Sequence, residues 1–207
     1  MSSFIAENLR HFKNSIPAEV RLVAISKTKP VSDIREAYEA GQRDFGENRI
    51  QEMADKAEEL PADIRWHMVG HVQGNKIKYM APFVSMVHGM DKPKRLKELN
   101  KEAGKNERVI DCLLQVHIAE EDSKFGFSYE EAMQTLSANP SEKYPHLRVR
   151  GLMGMATFTD DETVVRNEFK GLRSFYNRVK RELNPPDFDT LEYGHEWRFY
   201  HCHKRGE

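Results

Sequence analysis

Short apolar runs alternate with segments of helical spacing along nearly the whole chain. The apolar runs predict strands at Arg21–Ser26, Arg43–Gly46, Arg65–Gly70, Ser85–His88, Val109–Ile118 and Arg148–Ala156, with a seventh beginning near Phe188. Helical spacing fills the intervals at Ser32–Ala40, Ile50–Glu59, Asn75–Met80, Pro93–Ala103, Ser128–Ala138 and Glu162–Leu183, and a leading helix from Ser3 to about Asn14 precedes the first strand. Ala132 and Leu136 are spaced for one buried face, as are Phe169, Leu172, Phe175, Tyr176 and Val179. Asp160, Asp161 and Glu162 place acidic groups where the last helix begins, which suits its dipole.

Repeated strand–helix units imply parallel strands joined by crossover helices. Six clear units and a partial seventh exceed a small doubly wound sheet and approach a closed (β/α)8 barrel of TIM type. Such barrels typically run to about 250 residues, and this chain has 207. No Pro/Gly/Ser-rich linker and no second compositional regime interrupts it before residue 190. The expectation is one barrel domain over residues 1–190, followed by a tail, 191–207, of different character.

Charge narrows the partners. The 32 basic and 33 acidic residues give a formal net charge of -1, which argues against a nucleic-acid-binding or membrane-seeking surface. No stretch approaches the ~18 consecutive apolar residues of a membrane span. The first fifteen residues carry Glu7, Asn8 and Arg10 and lack the apolar core of a signal peptide. Cys112 and Cys202 make no disulfide framework. A soluble, cytoplasmic, monomeric protein is expected.

In a barrel of this kind functional groups gather at the C-terminal ends of the strands. Those positions are Ser26–Lys27, then Gly46–Glu47–Asn48, then Gly70–His71 with Gln73 and Asn75, then Gln115 and His117, and finally the run Gly151–Thr157. A lysine between a buried strand and a loop loses ammonium hydration, which lowers its pKa and frees the lone pair. Such an amine condenses with a carbonyl, and pyridoxal 5'-phosphate is the common aldehyde partner. From spacing alone, a solvated loop lysine like Lys29 is the competing reading. Lys27, Asn48 and Met153 are the candidate cofactor-binding residues; no catalytic and no metal-binding residue is singled out. The glycines of GLMGMAT serve close strand packing or admit a ring to the backbone. His67 and His71 would share a face on a strand, yet no third ligand of convincing spacing joins them.

With ISKTKP around Lys27, FGENRIQE at 45–52, WHMVGHVQGNK at 66–76, SKFGF at 123–127 and GLMGMATFTDD at 151–161, the chain resembles the YggS/PROSC family of pyridoxal 5'-phosphate homeostasis proteins. The resemblance implies a single barrel like the N-terminal domain of alanine racemase. It also implies a cofactor held as a Schiff base on Lys27, and a role in holding that cofactor and passing it to PLP-dependent apoenzymes, without established catalysis. The alternative is a PLP-dependent racemase or lyase. A racemase needs a second acid/base on the opposite cofactor face, which alanine racemases take from a further domain and a dimer partner. Small departures from the family pattern fall at Gly74, Gly89 and His117.

A larger departure follows Leu191. The family pattern there resembles SMGMSGD, then an apolar strand, a Glu-Gly-Ser turn and a final strand; this chain reads EYGHEWRFYHCHKRGE. The resemblance assigns to the missing elements the phosphate-binding hydroxyls and amides, an arginine near the pyridine nitrogen, and the eighth strand. A reading-frame change accounts for the difference: with suitable synonymous codons, removing one base after the Leu191 codon recovers SMGMSGDFTIAIKEG. A barrel without a proper eighth strand and a weakened hold on phosphate are therefore expected. His195, His201, Cys202 and His203 suggest by composition a third reading, a metal-binding module; an out-of-frame peptide is the simpler one.

Overall fold

The structure, a computed structural model, describes residues 4–119 and 125–194. Seven strands are present among them, and their order in the sheet follows their order in the chain. The chain divides into two compact units, Met1–Met86 and Val87–Glu207.

The first unit holds α1 (Phe4–Ser15), β1 (Ala24–Ile25), α2 (Val31–Glu39), β2 (Asp44–Glu47), α3 (Ile50–Glu59), β3 (Arg65–Met68) and the short α4 (Ile77–Met80). Its strands pair in parallel, with Ala24 beside Phe45 and Phe45 beside Trp66. Every residue of β2 is buried, as are Trp66, His67 and Met68 of β3. Burial on both faces is what parallel strands covered by crossover helices require. β1 is shorter than its apolar run predicts. Ser26 still donates its N–H to Gly46, but upstream the Leu22 carbonyl is taken by the Gln42 side chain at 2.8 Å instead of a ladder partner.

The second unit holds α5 (Pro93–Lys105), β5 (Ile110–Val116), α6 (Tyr129–Ser137), α7 (Pro140–Lys143), β6 (Leu147–Met155), α8 (Glu162–Glu182) and β7 (Thr190–Gly194). β4 (Met86–Met90) begins at the last residue of the first unit. β5, β6 and β7 pair in parallel. The β5–β6 register slips between Cys112 and Leu113, so that Cys112 faces Val149 and Leu113 faces Gly151. Gly151 sits at this irregularity because a Cβ there would collide with the Thr190 carbonyl oxygen.

Local chemistry fixes the helix ends. Ser128 and Glu131 form a reciprocal capping box at α6, and Asp161 accepts the Thr163 N–H at the start of α8. The predicted face of α8 is the buried one: Phe169, Leu172, Phe175, Tyr176 and Val179 all turn inward. β7 continues through Gly194, past the point where the sequence leaves the family pattern. The expectations for His195, His201, Cys202 and His203, and for an eighth strand, fall on residues outside the described ones.

Candidate functional site

The chain leaves β1 through a tight turn in which Lys29 donates its N–H to the Ser26 carbonyl at 3.0 Å. Lys27 occupies this turn and is half-buried. Thr28 follows with φ 62, a left-handed conformation that costs a non-glycine residue about 1–2 kcal/mol. Something must compensate for that cost, and α3 supplies it. Glu52 Oε1 accepts the Thr28 N–H at 2.6 Å. Lys56, one helical turn further on, donates to Glu52 Oε1 at 2.7 Å, to Glu47 Oε1 at 2.8 Å and to the Ser26 carbonyl at 2.8 Å. These contacts use all three donors of the ammonium. Ser26 Oγ completes the set by donating to Glu47 Oε1 at 2.7 Å.

This network lies deep. Glu47 is 0% exposed, Ser26 4% and Lys56 7%. Burial raises the Glu47 carboxyl above its ordinary range, against the opposing hydrogen bonds from Lys56 and Ser26. The Lys56 hydrogen bond lowers Glu52, with help from the Thr28 amide. Glu52 and the Lys56 ammonium thus grip the backbone on either side of Lys27, and Glu47 holds Lys56 and the Ser26 hydroxyl from below.

Glycines shape the neighbouring strand ends. Gly46 pairs with Ile25, and a Cβ there would come 2.8 Å from Ile25 Cδ1. Gly70 lies against the backbone of Asn48, where a Cβ would come 2.7 Å from the Asn48 Cα. Asn48 itself is exposed at the end of β2 and lines a groove of about 480 Å³ with Arg49, Glu52, Lys56, His71 and Lys76. Lys27 and Asn48 therefore leave adjacent strands at their C-terminal ends.

In the second unit Met153 is buried in β6, paired with Gln115 on one side and Glu192 on the other. Its sulfur would lie 3.7 Å from a Cβ at Gly194. Buried His88 on β4 contacts Glu192 of β7 through Nδ1. The histidine pair considered for zinc separates: His67 is buried on β3 with Nε2 3.1 Å from Asp44 Oδ1, whereas His71 is exposed beyond the strand. Among the described residues no three His, Cys, Asp or Glu side chains group as a metal site, and no helix is long and apolar enough to cross a membrane.

The strand-end reading reached Lys27, Glu47 and Asn48 but gave Glu47 no role, and it missed Lys56. One signal was available. Ile50, Met53 and Lys56 form the buried face of α3, so a lysine stands where the pattern asks for an apolar residue, four residues after Glu52.

Comparison with known proteins places the fold and the family. The family model of the alanine racemase N-terminal domain matches residues 2–191. The pyridoxal phosphate homeostasis protein of Pasteurella multocida is 34% identical over 92% of this chain and 83% of its own length. PipY of Synechococcus elongatus without PLP superposes with a TM-score of 0.82 at 29% identity, covering 91% of this chain and 96% of PipY; its structure with PLP bound gives 0.78 at 27%. Alanine racemase from Streptomyces lavendulae shares the fold at a TM-score of 0.72 and 16% identity, over 92% of this chain and 55% of the racemase.

Proposed function

The chain belongs to the alanine racemase N-terminal-domain family, among the pyridoxal phosphate homeostasis proteins, and from that premise we propose that it binds pyridoxal 5'-phosphate through Lys27 as a carrier of the cofactor. The observation that carries this reading is the pinned turn after β1. Half-buried Lys27 stands on a backbone held by two hydrogen bonds, from the Thr28 N–H to Glu52 and from Lys56 to the Ser26 carbonyl, with the Ser26 hydroxyl bound to Glu47 beside them. That arrangement fits a carbonyl-bearing ligand. Lys27 is half-buried, it follows a strand's C-terminal end, and the strand beside that one carries Gly46.

The cofactor supplies an electrophilic aldehyde; the protein supplies the amine, its orientation and the shielding around it. Asn48 and Met153 are the further positions proposed to line the cofactor within their respective units. Lys56 is not an alternative attachment point, because its three donors are engaged by Ser26, Glu47 and Glu52. The relatives' names and the PLP-bound PipY support the cofactor's identity. Delivery to PLP-dependent apoenzymes, a monomeric state and a cytoplasmic location belong to the same proposal.

Borohydride reduction after incubation with pyridoxal phosphate, followed by peptide mass spectrometry, tests it. One pyridoxyl adduct per chain is expected on Lys27, and none on that peptide in Lys27→Ala. An undiminished adduct elsewhere in the variant overturns the assignment. Absence of α-proton exchange from amino acids in deuterium oxide separates the carrier from a racemase.

A further inference from the structure

The Ser26–Lys29 turn is not a conformation that its own sequence prefers. Thr28 is β-branched, yet φ is 62. Its amide faces α3, where Glu52 Oε1 takes it at 2.6 Å, and the same oxygen is held by Lys56 at 2.7 Å. Lys56 in turn reaches the Ser26 carbonyl at 2.8 Å, the group that also closes the turn by accepting the Lys29 N–H. The residues before and after Lys27 are therefore both tied to one helix, through a salt bridge whose lysine is buried.

We propose that Glu52, oriented by Lys56, is a positioning residue for Lys27: it holds the turn with Thr28 left-handed, the conformation in which the amine receives the cofactor's aldehyde. The inference rests on the reading of Lys27 as the attachment point and adds the device that presents it. Without the Glu52 acceptor, the turn relaxes towards conformations that β-branched residues favour. Apparent affinity then falls in proportion to the fraction of molecules still competent to bind, which makes a loss of about tenfold for a penalty of this kind.

Variants at Glu52 and Thr28, followed by cofactor binding and by hydrogen exchange, test this. In Glu52→Ala, pyridoxal phosphate titrated by its visible absorbance is expected to bind about tenfold more weakly, with the thermal melt close to that of the parent. Glu52→Gln keeps a carbonyl oxygen for the Thr28 amide and is expected to bind within about threefold of the parent. Thr28→Gly removes the left-handed penalty, so adding Glu52→Ala in that background is expected to cost under about threefold. A purely structural role for Glu52 would give the same loss in both backgrounds, and that result overturns the proposal.

The second readout needs no cofactor. Hydrogen exchange at the Thr28 amide is expected to be slow in the parent and fast in Glu52→Ala; equal exchange also overturns the proposal. Should the alanine variant not fold, Glu52→Asp, one methylene too short to reach the amide, is measured in its place. If the parent forms no adduct at Lys27, the proposed function fails while the exchange experiment still decides the clamp. If the parent forms it and Glu52→Ala binds equally well, only the positioning role fails.

Discussion

Lys56 Nζ lies 2.8 Å from Glu47 Oε1 with both side chains buried, and Glu47 Oε2 has no hydrogen-bond partner among the described residues. The pair is thus half compensated, and its lysine cannot be removed cheaply. Lys56→Met leaves a buried carboxylate without its cation, a loss of about 3 kcal/mol at pH 8. The sign of the pH dependence follows from Glu47. Its carboxyl is raised in the folded state, mainly by burial. The stability it contributes is therefore full below the ordinary carboxylate range and is lost as pH rises through the folded value. Removing Lys56 raises that value further, so the variant's deficit in urea unfolding is expected to be smaller at pH 5 than at pH 8.

Asp44 behaves in the opposite sense. Burial would raise its carboxyl, but hydrogen bonds from Arg65 at 2.5–2.7 Å and from His67 at 3.1 Å outweigh it and hold the group far below the usual range. A depressed carboxylate contributes stability above its unfolded pKa and loses it as pH falls towards the folded one. Asp44→Asn is expected to cost about 2 kcal/mol at pH 7, a figure discounted from the fully buried case because the Arg65 side chain is half-exposed. The difference from the parent should shrink steadily below about pH 4, as followed by chemical denaturation.

At Gly151, on β6, there is no room for a Cβ beside the Thr190 carbonyl of β7. Gly151→Ala drives a methyl into the Thr190 carbonyl, so either β7 shifts or the β5–β6 irregularity must be rebuilt. A destabilisation of about 2–3 kcal/mol is expected by overpacking. Hydrogen exchange should place the loss in the β6–β7 ladder, with Lys27 reactivity unchanged. A variant as stable as the parent would show that β7 contributes little.

The resemblance to the family implies that the cofactor's phosphate is held by a segment in whose place this chain reads EYGHEWRFYHCHKRGE after Leu191. Pyridoxal phosphate is therefore expected to bind no more than about tenfold more tightly than pyridoxal, since each missing charge-assisted hydrogen bond removes about 1.5–3 kcal/mol. Deleting one base after the Leu191 codon should restore a large preference for the phosphorylated form. Parallel absorbance titrations of the two chains measure this, and coding DNA without a surplus base at that point would refute the frame change.

Much of the architecture was legible along the chain. The inward face of α8 follows from Phe169, Leu172, Phe175, Tyr176 and Val179 because helical period alone selects them. Lys27 is legible too, as the amine that follows an apolar run. The extent of β1 was not: a strand ends where its ladder partner ends, and the Gln42 side chain takes the Leu22 carbonyl before the ladder can. The partner of His67 was not legible either: Asp44, from another strand, lies 3.1 Å from its Nε2.

Sequence by itself determined which elements form, in what order, and which amine stands after the first strand, because periodicity and chain order are local properties. Only the tertiary structure decided how that amine is held. Glu47 lies on β2, Glu52 and Lys56 on α3, and Ser26 and Thr28 beyond β1. Hydrogen bonds among three separate elements depend on distances that no spacing along the chain encodes.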